Sequence, residues 1–227
     1  MLRMAAAEGT TDIVASPHAS PEFQFHADVT AQRVDELQAA MGDAIRIHKG
    51  CDFHLSFDNI TDAIANPRKY SINSKGYLLV EFSDFGIFQN TATIFERIIG
   101  AGMLPIITHP ERNRLLQMKI EDLAAWAKMG CLIQVTAASF LGRFGSSSQK
   151  FSEELMSRGL VHVIASDAHD IEHRPPTLKP AREHLARKYG EDVAERLTVT
   201  TPRAVIDGQP VWKVEPGQPG KKWYRFW

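Results

Sequence analysis

Residues 160–169 have the sequence LVHVIASDAH, a near-continuous apolar run that ends in serine, aspartate and histidine. Such a run is typical of a strand buried on both faces, as in a parallel sheet covered by helices. Polar residues that follow the strand lie at its carboxyl end, where catalytic groups gather in parallel α/β folds. Asp167 and His169 are therefore candidate functional residues.

The same apolar pattern occurs five more times upstream. The segments between the runs carry apolar residues at helical spacing, and glycines such as Gly130 and Gly159 end two of them directly before the next run. Strands that alternate with helices favour a parallel sheet with right-handed crossovers. The sequence therefore predicts an α/β fold with six parallel strands, at residues 11–16, 44–50, 76–82, 104–108, 131–135 and 160–166.

Composition excludes several classes of protein. There are 26 basic and 27 acidic residues, a net charge of −1, so nucleic-acid binding through bulk positive charge is not expected. No apolar stretch reaches the roughly 18 residues of a transmembrane helix. The two cysteines, Cys51 and Cys131, are too few for a disulfide scaffold and suit a reducing, cytoplasmic location.

The predicted domain organisation is one domain over residues 1–212 and a tail over residues 213–227. The tail ends in KKWYRFW and is aromatic and basic. We expect it to pack over an apolar patch of the domain. A contact with a partner or with a membrane surface is the alternative.

Imidazole and carboxylate side chains follow five of the six predicted strands. Each has an ordinary structural explanation in isolation, such as a turn cap or an ion pair with lysine or arginine. Their convergence on one rim instead predicts a metal site, and this ligand mixture suits Zn, Mn or Fe rather than Ca or Mg alone. Six ligands exceed the needs of one tetrahedral ion, so we predict a cluster of two or three ions. The candidate ligands are His18, Asp52, Glu81, His109, Asp167 and His169.

Two arginines lie close to these ligands in the sequence. Arg112 is three residues past His109, and Arg174 is five residues past His169. Guanidinium groups bind phosphate oxygens in a bidentate manner. Either arginine alone could form a surface salt bridge, but beside a metal rim the pair favours phosphate binding. No cysteine phosphatase loop and no glycine-rich nucleotide loop is present in the sequence.

At these motifs the chain resembles the PHP (polymerase and histidinol phosphatase) superfamily. Its similarity is greatest to the bacterial manganese-dependent tyrosine phosphatases of capsule and exopolysaccharide loci, and it extends from about residue 5 to residue 210. The motifs that carry the resemblance are Ser-Pro-His18, Leu-Val-Glu81-Phe, Thr-His109-Pro-Glu-Arg112 and Ser-Asp167-Ala-His169, the last followed by Arg174-Pro-Pro.

The resemblance implies a distorted, TIM-like (β/α)7 barrel with a cluster of two or three Mn²⁺ ions, for which Zn, Fe, Co or Mg could substitute. It implies that His18, Glu81, His109, Asp167 and His169 are ligands and that Arg112 and Arg174 hold the phosphoryl group. The implied reaction is attack of an activated water on phosphotyrosine. The implied substrate is the tail of a cytoplasmic tyrosine autokinase that controls polysaccharide polymerisation. A homo-oligomer is compatible with this interpretation.

The sequence departs from the family pattern in two places. Members carry a glutamate in a Gly-x-Glu context after the second visible strand, whereas Gly50-Cys51-Asp52 stands here. Aspartate binds metal too, but its carboxylate reaches less far. Members also open with a strand that carries Asp-x-His-x-His, and this strand is absent here, which leaves six strands of seven and two unpaired edges. We expect a misassigned translation start, with truncation of the gene as the alternative.

The sequence therefore predicts a metal-dependent protein-tyrosine phosphatase. The nearest alternative is a phosphoesterase of the same superfamily that acts on a small metabolite such as histidinol phosphate. A second alternative is a truncated remnant that binds without catalysis. A metal-dependent amidohydrolase is a third, which the arginine pair disfavours because an amide substrate needs no phosphate clamp.

Overall fold

A computed structural model describes residues 1–211, so the predicted tail at 213–227 lies outside the described residues. The eight described strands are all short. They are β1 (Asp12–Ala15), β2 (His18–Ala19), β3 (Arg46–Lys49), β4 (Asp52–His54), β5 (Tyr77–Glu81), β6 (Leu104–Thr108), β7 (Leu132–Thr136) and β8 (Val163–Ala165).

The strands form two parallel sheets. The larger sheet has six strands in the order β2-β4-β5-β6-β7-β8, and the smaller pairs β1 with β3. Each of the pairings is parallel, and most neighbours in the large sheet are successive along the chain. This order confirms the predicted α/β fold with six parallel strands. All carboxyl ends of the large sheet therefore lie at the same rim.

The first two predicted strands are each divided into two segments. β1 continues into β2 across Ser16 and Pro17, and β3 continues into β4 across Gly50 and Cys51. The two segments approach each other closely at this break. A Cβ on Gly50 would lie 2.5 Å from Val14 Cγ1. The prediction that His18 and Asp52 follow the strands was wrong. Both lie within strands, because the pairing resumes past the break.

Helices flank the strands of both sheets. Their bounds are α1 (Leu2–Ala7), α2 (Ala27–Met41), α3 (Phe57–Ala65), α4 (Pro67–Tyr70), α5 (Thr91–Gly100), α6 (Arg114–Gln117), α7 (Ile120–Met129), α8 (Ala137–Phe140), α9 (Gly145–Ser157), α10 (Lys179–Tyr189), α11 (Glu191–Glu195) and α12 (Thr201–Asp207). None of these helices combines the length and apolar character needed to cross a bilayer.

Among the described residues the core has three clusters, and two of them lie on opposite faces of the large sheet. Along β5, Leu78 and Val80 join the cluster under the helices, whereas Tyr77 and Leu79 join the cluster on the inner face. Successive side chains of a strand point to opposite faces. Burial of both faces explains why the strands have apolar runs rather than an alternating pattern.

A cavity of about 1290 Å³ lies between the two ends of the strand order. Residues of β1 such as Val14 line one side of it, and residues of β8 such as Val163 line another. Within residues 1–211, β8 pairs only with β7 and β1 pairs only with β3. The cavity also reaches His18 and Asp167, so it opens toward the carboxyl ends of the strands.

His162, which directly precedes β8, makes the stability of the fold depend on pH. Its ring is buried, and Nδ1 accepts a hydrogen bond from the backbone N–H of Ile133 at 3.1 Å. Burial lowers the pKa of His162 from 6.5 to about 4. The unfolded chain therefore binds a proton between pH 6.5 and 4 that the folded chain does not bind, and stability falls as the pH falls through this window.

We expect this histidine to lower the free energy of unfolding by about 3 kcal/mol between pH 7 and pH 4. Urea unfolding of the wild type and of His162→Gln at both pH values measures it. Glutamine can still accept the Ile133 hydrogen bond but does not titrate, so the variant should lose less stability on acidification. An equal loss in both proteins would contradict the assignment.

Candidate metal centre

Glu81, at the end of β5, lies at the centre of the site. His18 Nδ1 is 3.3 Å from Glu81 Oε2, and His109 Nε2 is 3.4 Å from Glu81 Oε1. His54 Nε2 also contacts Glu81 Oε2. Three imidazoles from three different segments thus meet one carboxylate, which the parallel arrangement of the strands makes possible.

The sheet register determines which side chains meet. His18 of β2 pairs with Asp52 of β4, and His54 of β4 pairs with Glu81 of β5. Side chains at paired positions of adjacent strands lie on the same face of the sheet. As a result, His18 Nδ1 lies 3.2 Å from Asp52 Oδ2, and the Asp52 side chain is buried.

A tight turn after β6 positions His109 and Arg112. His109 has a left-handed backbone (φ 36°, ψ 48°), and Pro110–Arg112 form a single 3-10 turn. Non-glycine residues in this conformation are uncommon and persist only where the surroundings hold them. The N–H of His109 donates to the carbonyl of Gln134 at 2.9 Å, which ties the turn to the end of β7.

Glu111 anchors the same turn from beneath. It is fully buried, and its Oε1 accepts hydrogen bonds from Thr136 N at 3.0 Å and from Ser139 Oγ at 2.7 Å. Burial raises the pKa of Glu111, and these two donors partly offset the effect. Because its partners lie at the end of β7 and in α8, Glu111 ties the turn after β6 to the neighbouring strand and helix and fixes where Arg112 projects.

Arg112 and Arg174 converge on one carboxylate oxygen. Both guanidinium groups contact Asp167 Oδ2, and Arg174 Nη2 also donates to the Asp167 carbonyl at 3.1 Å. The ring of Phe144 lies against them, with its centroid 4.5 Å from Cζ of Arg112 and 6.0 Å from that of Arg174. The pair is therefore positioned to hold a single anion between two cationic groups.

Proximity of opposite charges changes the pKa values of the cluster. The Asp52 carboxylate raises the pKa of His18, and the Glu81 carboxylate raises that of His54. Burial disfavours ionisation of Glu81, but His54, His109 and His18 together outweigh burial and lower the pKa of Glu81 to about 2. Burial raises the pKa of Asp52. Glu81 is thus the carboxylate of the cluster that most strongly favours the charged form.

The residues present fit a metal ion. Three buried atoms, His18 Nδ1, Asp52 Oδ1 and Glu81 Oε2, have no hydrogen-bond partner among residues 1–211. Orphaned buried polar atoms are costly, and convergent imidazole nitrogens and carboxylate oxygens are the donors that Zn, Mn and Fe take. Two groups of potential ligand atoms each lie within 4.8 Å of one another: His18, His54 and Glu81, and Asp52, Glu81 and His109.

Four of the six predicted ligands come together in this cluster, namely His18, Asp52, Glu81 and His109. The other two lie beside it rather than within those groups. Asp167 pairs with the two arginines, and the His169 side chain is 43% exposed with its ring centroid 6.2 Å from that of His18. Five of the six, all except Glu81, line the same cavity.

His54 and Glu111 were not among the predicted site residues. His54 follows Asp52 by two residues in β4, and strand periodicity places i and i+2 on the same face, so this signal could have identified it. Glu111 carries no comparable signal, because its burial depends on loops that are distant in the sequence.

Comparison with known proteins identifies the family. The profile of the family described as "Capsular polysaccharide synthesis, CpsB/CapC" matches residues 1–207. The chain is 31% identical over 232 residues to a CapC protein of Staphylococcus aureus, covering 99% of this chain and 89% of that protein. It is 29% identical over 182 residues to the tyrosine-protein phosphatase CpsB of Streptococcus pneumoniae, covering 78% of this chain and 74% of that protein.

A solved structure has the same fold. It comes from crystallographic work on YwqE from Bacillus subtilis and CpsB from Streptococcus pneumoniae, described there as metal-dependent tyrosine phosphatases. The two structures superpose with a TM-score of 0.88 at 25% identity, over 98% of this chain and 90% of the other. The resemblance predicted from the sequence motifs is confirmed, and the chain belongs to the CpsB/CapC family of capsular polysaccharide synthesis proteins.

Proposed function

We propose that this chain is a metal-dependent protein-tyrosine phosphatase. The observation that carries the proposal is the position of an imidazole–carboxylate cluster beside two arginines that already share one anionic oxygen. The relatives named above as metal-dependent tyrosine phosphatases support the same activity.

The proposed ligands are His18, Asp52, Glu81, His109, Asp167 and His169, within a phosphatase domain at residues 1–212. When bound, divalent ions supply Lewis acidity and lower the pKa of a water for attack on phosphorus. Mn²⁺ is the proposed metal, in a cluster of two or three ions. Imidazole and carboxylate donors are compatible with this choice.

Two arginine side chains of this protein bind the phosphoryl group in the proposed reaction. Arg112 and Arg174 hold the phosphoryl oxygens and stabilise the charge that develops on them. Asp167 keeps both guanidinium groups in place through its Oδ2, and the Phe144 ring restricts their side chains from one side. A side chain that is already oriented loses little entropy when the phosphate binds.

A protein substrate is supported by the surface around the site. Four exposed phenylalanines follow successive strands of the large sheet: Phe23 after β2, Phe57 after β4, and Phe85 and Phe88 after β5. Exposed aromatic side chains are enriched where proteins bind proteins. This surface favours a phosphotyrosine segment over a small metabolite. The tail of a tyrosine autokinase in capsule or exopolysaccharide synthesis is the proposed substrate.

We place the activity in the cytoplasm, where such a kinase tail is phosphorylated. Cys51 and Cys131 are both buried free thiols, which is typical of proteins from reducing compartments. Burial raises the pKa of Cys131 to about 12 and that of Cys51 further, so neither thiol is a competent nucleophile.

A phosphatase assay on the full chain tests the proposal. With Mn²⁺ present, we expect hydrolysis of a phosphotyrosine peptide, little hydrolysis of the matched phosphoserine peptide or of histidinol phosphate, and complete loss of turnover in EDTA. Full turnover in EDTA, or a preference for histidinol phosphate, would overturn the assignment.

A further inference from the structure

His54 is held against the cluster by the sheet itself. It pairs in register with Glu81, and it lies on the same face of β4 as Asp52. Its Nε2 contacts Glu81 Oε2, the same oxygen that lies 3.3 Å from His18 Nδ1. The rings of His18 and His54 are 5.5 Å apart and nearly perpendicular. Two imidazole nitrogens therefore point at one carboxylate oxygen.

The two oxygens of Glu81 face different partners. Oε2 faces His18 and His54, whereas Oε1 faces His109 at 3.4 Å. Asp52 joins His109 and Glu81 in one group of ligand atoms, and His54 joins His18 and Glu81 in the other. Glu81 is the only residue that the two groups share among the described residues.

We propose that His54 is a metal ligand, and that with His18 and Glu81 Oε2 it forms a metal position separate from that of Asp52, His109 and Glu81 Oε1. Glu81 then bridges two ions, with one oxygen on each. Two imidazoles and a carboxylate suit Mn²⁺, Fe²⁺ or Zn²⁺. The inference deepens the proposed function, because it assigns a ligand in the metal centre of that activity.

An ion pair between His54 and Glu81 explains the geometry less completely. A carboxylate oxygen can accept two hydrogen bonds, but His18 Nδ1, at 3.3 Å from Oε2, makes none. Among residues 1–211, the buried atoms His18 Nδ1 and Glu81 Oε2 both lack a hydrogen-bond partner. One divalent cation would satisfy the lone pairs of the two imidazole nitrogens and the carboxylate oxygen together.

Whether His54 is a ligand can be tested by counting the metal ions that the full chain binds after a chelator has removed any metal already present. Equilibrium dialysis against Mn²⁺ with elemental analysis should show that His54→Gln binds one ion fewer than the wild type, or binds one ion at least tenfold more weakly. The matched control is His26→Gln, which removes an exposed imidazole from the start of α2. Mn²⁺ binding by His54→Gln that equals the control would overturn the proposal.

A second measurement needs no variant and so does not depend on how His54→Gln folds. Diethylpyrocarbonate acylates free imidazole nitrogens, and the His54 side chain is 30% exposed. Mn²⁺ should protect His54 from the reagent in the wild type, as mapped by mass spectrometry, while His26 reacts with and without the metal. Equal modification of His54 in both conditions would contradict ligation.

These readouts separate the ligand from the activity. A wild-type chain that binds Mn²⁺ through His54 but hydrolyses no phosphotyrosine would support the ligand and contradict the proposed function. If the wild type hydrolysed phosphotyrosine but His54→Gln bound Mn²⁺ as the wild type does, the proposed function would be supported and the ligand assignment contradicted.

Discussion

Replacing Glu81 by glutamine should reduce phosphotyrosine turnover by roughly 1,000-fold. Glu81 is the carboxylate that His18, His54 and His109 all approach, so its neutralisation removes charge from both groups of candidate ligands. Metal ions contribute several kcal/mol of transition-state stabilisation, and each 1.36 kcal/mol corresponds to a factor of ten in rate. Elemental analysis should show that the variant retains less Mn²⁺ after dialysis.

The control for this experiment is Glu121→Gln. Glu121 lies in α7, where its 79%-exposed side chain pairs with Arg158, and exposed pairs of this kind contribute little to stability. We expect this variant to keep wild-type metal content and turnover. If Glu81→Gln also kept both, the assignment of the metal centre to this cluster would be wrong.

Arg112→Ala should lower kcat by about 100- to 1,000-fold while leaving the metal content unchanged. The guanidinium stabilises charge that develops on phosphate, and removal of one such donor typically costs this much. Arg112→Lys should recover only part of the loss, because lysine keeps the charge but lacks the planar fork that matches phosphate oxygens. Steady-state kinetics on the phosphotyrosine peptide and elemental analysis measure the two quantities.

Arg114→Lys is the matched control for Arg112. It lies two residues further on, at the start of α6, and its side chain is exposed. Its kinetics should equal those of the wild type. Loss of bound metal in Arg112→Ala would mean that the arginine supports the metal cluster through Asp167 rather than binding the phosphoryl group. The Glu81 and Arg112 variants thus separate metal binding from phosphate binding.

Much of the fold could be predicted because each strand is encoded locally. The run at residues 104–108 is buried on both faces, and an apolar run that a helix and a glycine precede predicts a strand wherever it occurs. The division of the first two strands could not be predicted in this way. It depends on Gly50 lying against Val14, two residues brought together by the pairing of β1 with β3.

The candidate site was predicted in part for the same reason. Glu81 ends β5 and His109 directly follows β6. Parallel strands bring their carboxyl ends together, so these two residues were expected to meet. The positions of Asp167 and His169 relative to the cluster could not be predicted in this way. Asp167 pairs with two arginines that come from separate loops, and the spacing of residues in the sequence does not encode this pairing.

The sequence by itself determined the parallel α/β fold, the residue types at the rim and the family, because periodicity and short motifs are local properties of the chain. Tertiary structure alone decided which atoms meet. The β4–β5 register brings His54 to Glu81, and the end of β7 together with α8 holds Glu111 beneath the His109 turn. Such contacts depend on pairing and packing between distant segments, where a shift of one residue turns a side chain to the opposite face.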